Sequence, residues 1–227
     1  MSTLEFMMKK DINLYMSKIA VDKTYICHWN KLMDRKKILI ENLSHLGLDN
    51  YEFVESYIAE ELNEKEIKNE YPLIFQPTEK GRFLKMSEIS LALKHCWIIK
   101  DAFSKKYDSI LILEDDVAFE KDFIENFNDF KSQLPDDWDI AWVGGCCGLH
   151  SNNIIDSKNV YESRYSRCTH SFIISKIGIS KIESQISNIN EAIDWYYNTL
   201  IENLKLKNYW FEPVLAKQNI EFMSTIQ

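Results

Sequence analysis

Glycine and proline, the residues that most often interrupt regular structure, are scarce here: 6 and 4 among 227 residues. That scarcity excludes a collagen-like or low-complexity chain. No apolar run approaches the roughly 18 residues needed to span a bilayer, so no transmembrane segment is expected. The opening MSTLEFMMKKDINLYMSK has no continuous apolar stretch and no small-residue cleavage site. It is therefore not a signal peptide, and a cytoplasmic location is expected. Basic charge is also short, with 27 Lys and Arg against 35 Asp and Glu and a net charge of -8. Nucleic acid is excluded as a partner on that ground. The cysteines are Cys27, Cys96, Cys146, Cys147 and Cys168, an odd number without a CxxC pair. Five free thiols in a reducing compartment are expected, with no disulfide and no zinc site. Three signatures are missing as well: GxGxxG of dinucleotide sites, GxxxxGK[ST] of P-loops and GxSxG of nucleophile elbows.

What the chain does have is material for a core, with 45% hydrophobic and 13% aromatic residues. At this length about 70% of the unfolded surface can be buried, in one domain over residues 1–227. Short apolar runs alternate with segments of helical spacing. Strands are expected at 24–28, 51–54, 109–113, 140–143 and 170–175. Asp34–Leu46 carries Ile38, Leu39, Leu43 and Leu46 at helical spacing, with Gly47 at the C-cap position. Further helices are expected from a Ser87 N-cap to about Phe103, from about Glu120, at 177–187 and at 191–205. Residues 59–80, with Pro72 and Pro77, are expected as loop with one short helix. Strand and helix alternate, so the class is α/β with a mostly parallel sheet and helices on both faces. Ser109–Leu113 suits a central strand buried on both sides.

Three acids follow that strand, in Leu113-Glu114-Asp115-Asp116-Val117. In open α/β sheets the crevice beyond the C-terminal strand ends binds ligands. Glu114 and Asp116 are two residues apart, so extended backbone projects them to one side. Such a pair suits a hard divalent cation, Mn2+ or Mg2+. The competing reading is that Asp115 or Asp116 caps a following helix. Gly144-Gly145 suits either close approach of backbone to a ligand or an ordinary tight turn. His28 follows the first strand, with Trp29, Asn30 and Lys31, where a nucleotide can lie. His95 lies among apolar helix residues, as a structural histidine does. His170 opens a strand, as a site residue or as edge packing; His45 and His150 are surface residues. Asp194, in Ala192-Ile193-Asp194-Trp195-Tyr196, either complements a helix dipole or is a partly desolvated base. Trp195, Tyr196 and Leu200 are expected in the core rather than as a sugar-stacking platform.

Taken in order, these segments resemble glycosyltransferase family 25, the lipopolysaccharide-biosynthesis and collagen-galactosyltransferase group. Met33-Asp34-Arg35-Lys36 is similar to the family's opening "INLDRxxDR", from which His28-Trp29-Asn30-Lys31 departs. Ser87 to His95 is similar to its "GEIGCxLSH": Glu88, Ile89, Leu93 and His95 match, while Ser87, Ser90 and Lys94 replace two glycines and a serine. Tyr107–Val117 is close to "YDxxLILEDDV". Trp138-Asp139 with Gly144-Gly145 resembles "WDxxxLG", and Thr169-His170 through Gly178 resembles "THxYxISxxG". Ile193-Asp194 is similar to "PxD", and Pro213 with Gln218 to the closing "P…Q". The matches keep their order over nearly the whole chain.

The resemblance implies a GT-A fold and inverting transfer of a hexose, often galactose, from a UDP-sugar to an acceptor hydroxyl. The acceptor would be a glycan or a hydroxylated group, as in lipopolysaccharide or glycan biosynthesis. Glu114-Asp115-Asp116 would be the family's metal motif, with Mn2+ held by Asp116 and Glu114 or Asp115. Asp194 is the preferred general base and Glu88 the second. His28, Asn30, His95, Glu114, Asp115, Gly144, Gly145 and His170 are the expected donor contacts, and His170 would meet the diphosphate or the metal. Arg35 would support the first loop rather than touch phosphate. Two rival readings are a catalytically degenerate nucleotide-sugar-binding or scaffold protein and a different sugar-nucleotide enzyme.

Overall fold

The computed structural model describes residues 18–146, 150–154 (backbone alone), 157–219 and 222. The chain opens with β1 (Lys23–Cys27), α1 (Met33–His45) and β2 (Tyr51–Val54). Beyond α1, Gly47 adopts φ +67°, a left-handed conformation that only glycine takes without cost, and the chain turns back. A 3-10 turn at Ala59–Glu61 and the short α2 (Glu64–Glu70) precede the long α3 (Met86–Lys105). β3 (Ser109–Glu114) and β4 (Val117–Phe119) flank the acid turn, followed by α4 (Phe123–Ser132) and β5 (Ile140–Trp142). Then come β6 (His150–Ile154), β7 (Val160–Ser163), β8 (Ser171–Ser175), α5 (Lys176–Glu183) and α6 (Ile193–Leu204). β9 (Asn208–Phe211) and β10 (Ala216–Gln218) close the described chain.

The main sheet has eight strands in the order β2-β1-β3-β8-β5-β9-β7-β6, and β10 pairs with β4 apart from it. β1, β2, β3, β5, β6 and β9 run one way; β7 and β8 run against them. The sheet is thus mostly parallel in direction, as the α/β alternation leads one to expect. Side-chain alternation divides the core in two. Tyr25, Ile110, Ile112, Ile140, Trp142, Phe172 and Ile174 pack toward α3, α5 and α6. Ile26, Leu111, Leu113, Ala141, Val143 and Ile173 pack toward α1 and α4. β3 is buried on both faces, with Ile110 through Leu113 fully excluded from solvent.

Several expectations need correction. The helix expected from Glu120 begins at Phe123, because β4 forms first and pairs with β10. The acids after β3 therefore enter a strand, and the helix-cap reading of Asp115 and Asp116 falls. The helix expected from a Ser87 cap starts at Met86, where the Glu88 carboxylate accepts from the Lys85 amide at 2.8 Å. Cys146 and Cys168 are joined in a disulfide, against the expectation of free thiols. They are 22 residues apart in sequence, but antiparallel pairing puts the end of β5 beside the start of β8. Cys27 and Cys96 are free and buried. Cys147 and the His150 side chain lie outside the described residues. No helix among the described residues is long and apolar enough to cross a membrane.

Candidate active site

Parallel register sets Glu114, the last residue of β3, beside Cys27, the last of β1. Strand alternation leaves Glu114 on the α3 face with Cys27 and turns Asp115 toward α1. There Arg35 Nη1 donates to Asp115 Oδ1 at 3.0 Å. His28 Nδ1 lies 2.7 Å from Asp115 Oδ2, and an ionised carboxylate only accepts, which assigns that ring proton to Nδ1. Thr169 Oγ1 donates to Glu114 Oε1 at 2.5 Å. The segment after β10 crosses the turn: Gln218 Nε2 is 3.4 Å from Asp116 Oδ2, and the Asn219 amide donates to the Asp116 carbonyl at 2.7 Å. Burial, reinforced by neighbouring carboxylates, raises the carboxyls of both Glu114 and Asp116 above their ordinary range.

Two clefts meet at Glu114 and Gln218. The larger, of about 460 Å³, runs between the end of β1 and the start of α3, with Cys27, His28, Trp29 and Leu91 on its walls. The smaller, of about 290 Å³, is lined by Glu88, Thr169, Asp194 and Trp195. Its two flanking carboxylates differ. Arg82 grips Glu88 through two bonds of 2.7 Å, holding its carboxyl below the usual range. Asp194 accepts from the adjacent Trp195 amide at 2.9 Å and from its own backbone amide. Burial raises its carboxyl. A carboxylate made more basic is what proton abstraction requires.

A family model for glycosyltransferase family 25 (LPS biosynthesis protein) matches residues 21–197, well over half of the sequence. The chain belongs to glycosyltransferase family 25. It is 24% identical over 192 residues to a glycosyltransferase 25 family member of Aedes aegypti, covering 77% of this chain and 31% of that protein. It is 23% identical over 223 residues to human procollagen galactosyltransferase 2, covering 88% and 36%. The chain thus spans about a third of the length of these relatives. A crystal structure of a glycosyltransferase involved in glycosylation of the major capsid of PBCV-1 superposes with TM-score 0.52 at 14% identity, over 88% of this chain and 93% of that one. That likeness supports a GT-A type fold.

Not every residue expected in this family 25 site is there. His28, Glu114, Asp115 and Asp116 line the larger cleft, while Asn30 lies on the exposed turn beyond Trp29 and lines neither. His95 lines neither cleft: it is fully buried, stacked on Phe172 at 5.9 Å and edge-on to Tyr197. Burial holds its ring neutral, the proton binding at about 3. His170 is likewise inside the fold, with Nε2 3.4 Å from the Ala216 carbonyl. Gly144 and Gly145 line neither cleft, and each is closely packed where a side chain would be. A Cβ on Gly144 would lie 2.4 Å from His170 Nε2, and one on Gly145 2.0 Å from the Trp210 ring. Glu88 lines the smaller cleft with its carboxylate paired to Arg82. Tyr196 and Leu200 are core, but Trp195 is 38% exposed at the mouth of the smaller cleft. Thr169, Arg82 and Gln218 were not singled out as site residues. Thr169 and Gln218 depend on pairings across 55 and 102 residues, hinted at only by the family-like segments that contain them, whereas Arg82 reaches Glu88 from six residues away.

Proposed function

We propose that the protein transfers a hexose from a UDP-sugar to an acceptor hydroxyl with inversion at the anomeric carbon. The observation that carries this is the acid turn at the junction of two clefts, one able to take a nucleotide and the other holding a desolvated carboxylate. The name of the human relative supports galactose as the sugar. The nucleotide lies in the larger cleft against Cys27, His28 and Trp29.

Among the described residues no three His, Cys, Asp or Glu side chains converge as a ready-made cage. The acid turn nevertheless fits a hard divalent cation. Asp116 Oδ1 is buried without a hydrogen-bond partner, and Glu114 and Asp116 repel each other until a positive charge stands between them. Two carboxylates leave coordination positions for diphosphate oxygens and water. When bound there, Mn2+ would offset the negative charge developing on the leaving diphosphate. Thr169 fixes the Glu114 carboxylate, and Gln218 and Asn219 fix Asp116. Asp194 takes the proton from the acceptor hydroxyl as that oxygen attacks the anomeric carbon opposite the departing UDP. A single displacement needs one base, and of the two carboxylates flanking the smaller cleft Asp194 is the one whose proton affinity burial raises.

The deciding experiment follows UDP release from UDP-galactose, with and without Mn2+, across a panel of sugar and hydroxylated acceptors. Mn2+-stimulated release that rises with one acceptor class is expected. A folded protein that neither binds nor cleaves any UDP-sugar would overturn the reading.

A further inference from the structure

Of the three acids after β3, Asp115 has both carboxylate oxygens bound inside the protein, one to Arg35 and one to His28. Asp115, Arg35 and His28 are all buried. The arrangement follows from strand parity. Ile26 faces the α1 side and Cys27 the α3 side, so the next residue, His28, returns to the α1 side. Asp115, in the turn just after Glu114, meets Arg35 and His28 on that side. Arg35 lies in the first turn of α1, the helix that covers this face. The Arg35 guanidinium also stacks on Phe222, 4.9 Å from the ring centroid, just beyond Asn219, whose amide holds the Asp116 carbonyl. Arg35 thus links the acid turn to the segment that crosses it.

Three successive carboxylates at a poorly solvated strand end repel one another and splay apart unless a counter-charge is built in. We propose that Asp115 is the tether of the acid turn rather than a cation ligand, and that Arg35 is the positioning residue that holds it. The tether presets the turn so that Glu114 and Asp116 face one side before any ligand arrives. This rests on the reading of those two residues as cation ligands.

The test is titration of the full chain with Mn2+ alone, followed by calorimetry, beside thermal melting of the same variants. Glu114→Gln and Asp116→Asn are expected to bring binding below detection. Asp115→Asn and Arg35→Met should weaken it by about 10–100-fold, the usual effect of losing a group that orients a ligand. Arg35→Lys should recover part of the loss, keeping the charge without the planar fork. The double variant Asp115→Asn/Arg35→Met should be no worse than either single one, in Mn2+ affinity and in melting, because both break the same link. The proposal is overturned if folded Asp115→Asn loses Mn2+ as completely as Asp116→Asn, since Asp115 is then a ligand. It is equally overturned if Arg35→Met binds Mn2+ as the parent does. Should Glu114→Gln and Asp116→Asn leave Mn2+ binding untouched, the cation reading fails on its own. The tether is then decided by melting: non-additive losses uphold it and additive losses overturn it.

Discussion

β3 and β5 run in the same direction on either side of β8, and each is followed by residues that look functional in sequence. At the end of β3 stand three acids; beyond β5 stand two glycines. Glu114 opens into both clefts, and Asp115 and Asp116 into the larger. The glycines do not, because His170, the Ala216 carbonyl and Trp210 fill the space where their side chains would be. A shared place at the C-terminal edge of a sheet is therefore not enough to make a site. What separates the two ends is cover: the Trp210 ring of β9 closes over the end of β5, while α3 stands off from the end of β3 and leaves a cleft.

The difference predicts opposite consequences for small substitutions at the two ends. At β3, Asp116→Ala should remove Mn2+-stimulated turnover entirely while the melting temperature holds or rises, because a buried, repelled carboxylate is lost. A variant that keeps Mn2+-stimulated UDP release breaks the comparison. In the cleft beside β3, Asp194→Asn should cut kcat by about two to four decades and leave UDP binding near normal. Because burial raises the Asp194 carboxyl, the parent's kcat should rise with pH as that group ionises, and this acid limb should vanish in the variant. If UDP binding is lost instead, Asp194 is a donor contact.

At β5, Gly145→Ala should act on stability rather than on chemistry. A Cβ overlapping the Trp210 ring costs about 1–3 kcal/mol of overpacking, or roughly 2–12 °C in melting for a chain of this size. UDP affinity of the folded fraction should be unchanged; a selective loss of UDP affinity would make the glycine turn part of the site after all. The histidines behind that turn add an acid sensitivity. Burial lowers the proton affinity of His95 to about 3 and of His170 to about 4, against about 6.5 in an unfolded chain. Above 6.5 their contribution to stability is complete. As pH falls toward 4, only the unfolded state takes up these protons, so stability declines. His170→Gln should flatten that decline in a melting series from pH 7 to pH 4. The smallest effect is expected at Glu88→Gln, where Arg82 already holds the carboxylate: kcat should change by less than about tenfold. A loss as large as that of Asp194→Asn would exchange their roles.

Much of this was legible from the order of the residues alone. A run such as Ser109–Leu113 has few alternatives to a strand buried on both faces, and the three acids stand at its C-terminal end wherever that strand lies. Gly47 ends its helix for a local reason, its tolerance of positive φ. These features depend on neighbours a few residues away, and the sequence by itself determined them. Tertiary structure decided the rest. The antiparallel insertion of β8 brings Thr169 to Glu114 and Cys146 to Cys168. β10 carries Gln218 to Asp116, and the loop before α3 gives Arg82 to Glu88, so that two similar carboxylates end with opposite proton affinities. Desolvation and charge pairing depend on what folds over a residue, and the covering groups come from segments as much as 102 residues distant, as with Gln218 and Asp116.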